Sequence, residues 1–341
     1  MCGFLIEYRK KNIKFDKDFF LSNAKKINHR GPDDEGDIYL RYFSAKFYRL
    51  SILDLRKQAN QPMKSQSGRF TILFNGEIYN FLEIKKKFNF ITKTNSDTEI
   101  ILKLFEKFGL KMVKFLEGMF SIVIYDQEKN ICYFFRDRFG IKPLYFFESE
   151  EKIVFSSEIK PLLNYSVKKV NSKKLLDFFL KQSMDDDIFT LFENIYSIQP
   201  GYCGQVSQNK LKQERYWEFE TTNNSNFNLK QEKSNIESLF SASVKKHLIS
   251  DREVGFFFSG GTDSLSILSK AKKFLKNPKL FTYNFLSNDG KFYGEYEKAK
   301  QISSNLKLNL DITTVTPKMI TENFDKVIDV CESPITSIRQ I

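Results

Sequence analysis

Apolar residues in the first half of the chain come in short runs, each closed by Gly, Pro, Asn or Asp. Residues 3–8 read as a buried strand. A polar helix is expected over 16–28, stopped by the turn residues of His29-Arg30-Gly31-Pro32-Asp33-Asp34. β-rich stretches follow at 38–54 and 69–79, then helices at 81–88, 98–108 and 112–117. Four further strands are expected at 120–126, 131–136, 143–147 and 152–157. Strands, then helices, then strands again do not alternate as βαβ units do. The first half is therefore expected to be α+β, with antiparallel sheets packed on helices.

From 164 to 228 the pattern weakens into a connector, with a helix expected at 175–182, the turn Ile198-Gln199-Pro200-Gly201-Tyr202 and a polar loop at 221–228. Beyond it, a helix over 235–248 leads to a continuous apolar strand at 253–258 and a glycine turn, Ser259-Gly260-Gly261-Thr262-Asp263-Ser264. Strand 280–285, helix 295–305, strand 308–315 and helix 317–329 then alternate, which predicts a parallel sheet. The domains expected are 2–160, a connector 161–228, and 229–341.

The 341 residues are 41% hydrophobic, enough for two cores. A net charge of +12 raises the question of nucleic acid, but the basic residues are scattered and the longest cluster is Lys85-Lys86-Lys87, so no nucleic-acid partner is expected. Cys2, Cys132, Cys203 and Cys331 are far apart with no CxxC or zinc spacing, which points to a reducing compartment and to no protein-held metal. No apolar run is long enough for a signal peptide or a membrane span. A soluble cytoplasmic protein is expected, with a homodimer left open.

Candidate chemistry begins at Met1-Cys2-Gly3. Removal of Met1 would leave Cys2 with a thiol and a free α-amine. The thiolate is a nucleophile, and an α-amine with an ordinary pKa of about 7.7–8.0 can take the thiol proton and return it. Three polar stretches interrupt the apolar strands: Arg49-Leu50-Ser51-Ile52, Asn75-Gly76-Glu77 and Asn95-Ser96-Asp97. Each has a plainer reading, as a surface arginine, a hairpin turn and a helix N-cap. Together they supply what hydrolysis of an amino-acid side-chain amide needs. Arg49 can clamp an α-carboxylate, Glu77 and Asp97 can hold an α-ammonium, and the Asn75 side chain with the Gly76 N–H can form an oxyanion hole. In the second half, strand, glycine turn and helix N-terminus form an anion site without a Walker lysine. A generic glycine turn is the alternative there.

These stretches, with Arg30-Gly31-Pro32-Asp33, Asn75-Gly76-Glu77-Ile78-Tyr79-Asn80, Gly118-Met119-Phe120 and Arg136-Asp137-Arg138-Phe139-Gly140-Ile141-Lys142-Pro143-Leu144-Tyr145, resemble class II glutamine amidotransferases. More narrowly they resemble the glutamine-hydrolysing asparagine synthetases. The resemblance implies an N-terminal-nucleophile αββα four-layer sandwich followed by a partial parallel-sheet ATP-pyrophosphatase domain. It implies catalysis by Cys2, Asn75 and Gly76, glutamine binding by Arg49, Leu50, Ile52, Glu77 and Asp97, and ATP binding by Phe258, Ser259, Gly260, Gly261, Asp263 and Ser264. The substrates implied are glutamine, aspartate and ATP with Mg²⁺, ammonia passing through an internal tunnel to a β-aspartyl-adenylate.

Leu265 stands where such loops carry a second serine. Cys331-Glu332-Ser333-Pro334 matches the corresponding acidic motif only loosely, and no SGEGxDE segment follows. A truncated chain with glutaminase chemistry alone is therefore expected. Two alternatives remain open: an amidotransferase acting on another carboxylate, such as a sugar acid of a surface polysaccharide, and a non-catalytic regulatory protein of the same fold.

Overall fold

A computed structural model describes residues 1–181, 188–207, 210–221, 228–294 and 296–335. It divides into two compact units, Met1–Glu220 and Thr221–Ile341.

In the first unit the strands are β1 (Gly3–Arg9), β2 (Asp34–Tyr39), β3 (Phe43–Arg49), β4 (Met63–Lys64), β5 (Phe70–Ile78), β6 (Gly118–Asp126), β7 (Ile131–Arg136), β8 (Tyr145–Glu148), β9 (Lys152–Ser156), β10 (Ile195–Ser197), β11 (Tyr202–Val206) and β12 (Leu211–Arg215). The helices are α1 (Lys17–Ala24), α2 (Phe81–Phe88), α3 (Asp97–Phe108) and α4 (Ser172–Lys181). Two six-stranded sheets form, ordered β10-β8-β9-β1-β3-β2 and β12-β11-β7-β6-β5-β4. Every pairing in both is antiparallel.

Strand alternation sorts the side chains into layers. Phe4, Ile6 and Tyr8 of β1 meet Leu73 of β5 and Val123 and Tyr125 of β6 in a buried core between the sheets. Leu5 faces the other way, onto Phe20 and Ala24 of α1 and Ile27. On the far face of the second sheet, the ring of Phe105 from α3 meets Phe70, Tyr133 and Phe135. Helix, sheet, sheet, helix is the four-layer arrangement expected.

Three local expectations need correction. The helix expected over 16–28 is α-helical only to Ala24, after which Lys25–Arg30 is a 3-10 segment kinked at Ile27. Residues 112–117 belong to a 3-10 segment, Gly109–Phe115, because α3 is stopped by Gly109 and the chain must turn extended by Leu116 to enter β6. Asn75-Gly76 neither breaks a strand nor makes a hairpin turn. Both lie inside β5, opposite Ser121 and Phe120 of β6. The stretch 161–228 contributes β10 to one sheet and β11 and β12 to the other. The expected helix residue Gln182 and most of the loop 221–228 lie outside the described residues.

The second unit has α5 (Leu229–His247), β13 (Gly255–Phe257), α6 (Thr262–Ala271), β14 (Lys279–Leu286), β15 (Phe292–Tyr293), α7 (Tyr296–Asn305), β16 (Leu310–Val315) and α8 (Pro317–Cys331). β14 pairs in parallel with β13 and β16 and antiparallel with β15. Glu295, expected to open α7, lies outside the described residues. The strand expected over 253–258 is shorter, and its Phe257 is 91% exposed.

Candidate active site

Cys2 stands at the mouth of β1, and its position is fixed by residues far away in sequence. The Arg30 Nε donates to the Cys2 carbonyl at 3.0 Å, while Arg30 Nη1 donates to Glu158 Oε1 at 2.9 Å. The Leu50 N–H donates to the Cys2 sulfur at 3.4 Å. Asp33 accepts the Ser51 N–H at 2.8 Å and so fixes the turn that brings Leu50 to the thiol. Cys2 shares the alternation of Phe4 and Ile6, so its side chain faces the second sheet, where it packs against the core between the sheets. Burial pushes the thiol pKa up. A thiol in that state needs a base. Neither histidine lines the pocket around Cys2, and His29 Nε2 lies 2.9 Å from Glu158 Oε1.

Asn75 shares the alternation of Leu73 and therefore faces Cys2's sheet. It is 1% exposed, and its Nδ2 has no hydrogen-bond partner among the described residues. A buried donor left unpaired costs about 1–3 kcal/mol, so it marks a place where something else binds.

Gly76 is aimed differently. The Phe74 N–H points off the outer edge of β5 to Gln61 Oε1 at 2.6 Å, and the Ile78 N–H points the same way to Asp97 Oδ2 at 3.0 Å. The Gly76 N–H, midway between them, shares that direction by strand periodicity and enters the pocket between those two anchors. Only glycine fits there, because a Cβ would meet the Met119 carbonyl oxygen at 2.1 Å.

The pocket is lined by Cys2, Arg49, Leu50, Ile52, Gly76, Glu77 and Asp97, among others, so every expected glutamine-binding residue reaches one place. Arg49 is 5% exposed, which excludes the surface reading. Its guanidinium donates to the carbonyls of Arg56, Leu53 and Asp54 at 3.1, 3.2 and 2.6 Å. Those contacts hold it at the pocket wall. Asp97 opens α3, whose N-cap is Ser96, with Oγ accepting the Thr98 N–H at 3.1 Å. The N-cap reading holds for Ser96, and the adjacent Asp97 lines the pocket.

Glu77 and Asp97 form a carboxylate pair. Burial raises the pKa of Asp97, and burial followed by the Asp97 charge raises that of Glu77. A raised folded-state pKa gives stability below the unfolded carboxylate value, and that stability is lost as pH rises through the raised value. Glu77→Gln should therefore raise the melting temperature in mildly alkaline buffer by about 2–4 °C, the shift that roughly 1 kcal/mol produces in a domain of this size. In acidic buffer below the ordinary carboxylate range the two proteins should melt together. Equal melting at both pH values would remove the strain assigned to the pair.

Three structural supports lie in the motif 136–145, where the sequence alone assigns them no individual role. Asp137, fully buried, accepts the N–H groups of Phe120, Phe139, Ile141 and Lys142 and shapes the segment between β7 and β8. Arg136 ties that segment to Ser197 and Ile198, donating to Ser197 Oγ at 2.8 Å. Lys142 is 5% exposed, and its ammonium pKa is lowered by burial and pulled back up by Glu77, with Cys2 also within charge range.

In the second unit, β13 runs through buried Phe258 into the glycine turn and α6. Gly260 has φ +74°, a left-handed conformation, and a Cβ there would meet the Ala299 nitrogen at 2.9 Å. The Ser259 and Ser264 hydroxyl oxygens are 3.2 Å apart, and the Gly261 N–H donates to Ser259 Oγ at 3.2 Å. Asp263 lies in the first turn of α6. Leu265 packs on the Phe258, Leu268, Leu280 and Ala299 cluster, so the apolar side chain serves the core beneath the turn.

A glutamine amidotransferase domain family matches residues 1–217, and an asparagine synthase family matches residues 235–341. The putative glutamine-hydrolyzing asparagine synthetase 2 of Methanocaldococcus jannaschii is 31% identical over 329 residues, taking in 89% of this chain and 62% of that protein. The glutamine-hydrolyzing asparagine synthetase 2 of Bacillus subtilis is 32% identical over 336 residues, 93% of this chain and 44% of its own. Amidase chry2 of Gibberella zeae is 26% identical over 341 residues, with 92% and 49% covered. The chain spans about half the length of the curated relatives it matches.

Proposed function

The chain belongs to the glutamine amidotransferase domain family, and from that premise we propose that its first unit hydrolyses the side-chain amide of glutamine with Cys2 as nucleophile. The observation that carries this reading is the Gly76 N–H directed into the pocket of Cys2, with the unpartnered, buried Nδ2 of the neighbouring Asn75 on the face turned toward Cys2's sheet and outside the pocket lining. Two donors flanking a thiol are what an acyl-transfer oxyanion needs.

After removal of Met1, the Cys2 α-amine takes the thiol proton and the sulfur attacks the amide carbon. The carbonyl oxygen gains negative charge and is met by Asn75 and Gly76. The amine returns the proton to the departing nitrogen, the C–N bond breaks, and ammonia leaves a glutamyl thioester. Water, deprotonated by the same amine, then attacks the thioester and releases glutamate and the thiol. Arg49 takes the α-carboxylate, and Glu77 with Asp97 takes the α-ammonium, whose charge relieves the repulsion between the two carboxylates. Leu50 and Ile52 line the pocket.

Arg49→Lys should raise KM for glutamine sharply with a smaller change in kcat, because an ammonium with three N–H groups cannot satisfy the three loop carbonyls and still present a donor to the carboxylate. An unchanged KM would remove Arg49 from the carboxylate site.

For the second unit we read the turn around Phe258, Ser259, Gly260, Gly261, Asp263 and Ser264 as a site for the phosphates of ATP, in an overall synthesis of asparagine from aspartate, glutamine and ATP. The left-handed Gly260, the two facing hydroxyls and the helix N-terminus support it. Among the described residues no group of three His, Cys, Asp or Glu could hold a metal ion. Any Mg²⁺ would therefore arrive on the nucleotide phosphates, with Asp263 as the one carboxylate of the turn. The acceptor carboxylate is the finer open point, since one relative carries an amidase name.

Residues 1–341 by themselves should release ammonia from glutamine but give no aspartate-dependent pyrophosphate. β13 is the edge of its sheet among the described residues, with Phe257 bare, so the phosphate turn has only one wall of a crevice beside it. Assaying ammonia and pyrophosphate on one preparation tests both halves. Pyrophosphate release that requires aspartate would contradict the second half, and absence of ammonia would contradict the first.

A further inference from the structure

An oxyanion hole built on an asparagine has a weakness in its own chemistry. The carboxamide carries a donor on one arm and an acceptor on the other, and a half-turn exchanges them. Only the N–H arm stabilises a developing oxyanion, and the oxygen arm would repel it. Some contact has to hold the nitrogen toward the thiol.

Ser121 lies directly opposite Asn75 in the β5–β6 register. Opposed residues of an antiparallel pair project to the same face with Cβ atoms about 4.5–5.5 Å apart. Both side chains therefore enter the space between the sheets, as do their neighbours Leu73 and Val123. Ser121 is fully buried, and its Oγ, like Asn75 Nδ2, has no hydrogen-bond partner among the described residues. Phe4, Ile6, Leu73 and Val123 of one cluster line that face, and Arg136 of β7 lies opposite Ser121 on its other side. The Arg136 guanidinium is engaged by Lys142, Ser197, Ile198 and Gly140, which leaves the two orphaned groups of the register pair as each other's available partners.

We propose that Ser121 is a positioning residue for the oxyanion donor. Its hydroxyl oxygen accepts the second N–H of the Asn75 carboxamide when the first engages the oxyanion, so that nitrogen faces Cys2. A change of side-chain rotamer across the separation given above is enough to close this contact. The contact would then form with the transition state and not before it, so its loss should fall on kcat and not on KM.

This inference rests on the glutaminase reading of the site, and the test separates the two. Glutamine hydrolysis is measured for the wild-type chain, Ser121→Ala, Asn75→Ala and the double variant, alongside their melting temperatures. Ser121→Ala should lower kcat about three- to tenfold, the worth of one neutral hydrogen bond, with KM unchanged. In the Asn75→Ala background the same substitution should have no further effect, because the group it positions is gone. Equal kcat in wild type and Ser121→Ala would overturn the inference alone. So would the same fold-loss in both backgrounds, which is what a merely structural hydroxyl would give. A wild-type chain without hydrolysis would overturn the glutaminase reading and this inference with it.

Discussion

Cys2→Ala should abolish glutamine hydrolysis, a loss on the order of 10⁴-fold or more, while the protein folds and melts as before. The two expectations come from different parts of the structure. The side chain's polar contacts are to the Leu50 backbone alone, and the residue's place at the head of β1 is held by Arg30 through its carbonyl. Removing one sulfur atom leaves that frame standing. The chemistry has no substitute for it. Burial raises the thiol pKa, and no histidine lines the pocket that holds Cys2, which leaves the residue's own α-amine as the base in this account. A chain that keeps Met1, or carries a blocked Cys2 amine, should be as inactive as the alanine variant while its thiol still reacts with an alkylating reagent. Activity in a blocked chain would require another base.

Asn75→Ala should lower kcat by about 10²–10³-fold with little change in KM. Nδ2 makes no hydrogen bond in the resting structure, so the substitution removes nothing from that nitrogen in the ground state. It removes a donor that becomes engaged only as the carbonyl oxygen charges. Gly76 retains its backbone N–H, which accounts for residual rather than zero activity. A variant that loses affinity with kcat intact would reassign Asn75 to holding substrate.

Much of this was legible in the residues because both sheets are built from apolar runs bounded by turn formers. The runs at 3–8, 131–136 and 152–157 each became a strand within a residue of the expected limits. β10, β11 and β12 escaped notice since Ile195–Ser197 is three residues long and Leu211–Arg215 is almost wholly polar. Such strands are specified by their partners, β10 by β8, β11 by β7 and β12 by β11, not by a pattern of their own. The same limit explains Asn75-Gly76. Locally the pair suits a hairpin turn, and only pairing with Ser121 and Phe120 keeps it extended.

The residues that share the Cys2 pocket were legible as candidates where chemistry dictates the residue type, as with Cys2, Arg49 and Asp97. Their supports were not. The Arg30–Glu158 contact joins residues 128 positions apart, and Lys142 comes to rest near Glu77 through the loop that Asp137 shapes. Ser121 was hidden in a run of apolar strand residues, where one small hydroxyl does not disturb the pattern.

The central claim is that residue 2 supplies both nucleophile and base, and intact-mass analysis of a preparation that releases ammonia from glutamine tests it most directly. The mass should be that of the chain beginning at Cys2 with a free amine, and brief exposure to glutamine followed by acid quenching should add one glutamyl group. An active preparation whose mass retains Met1 would contradict the mechanism.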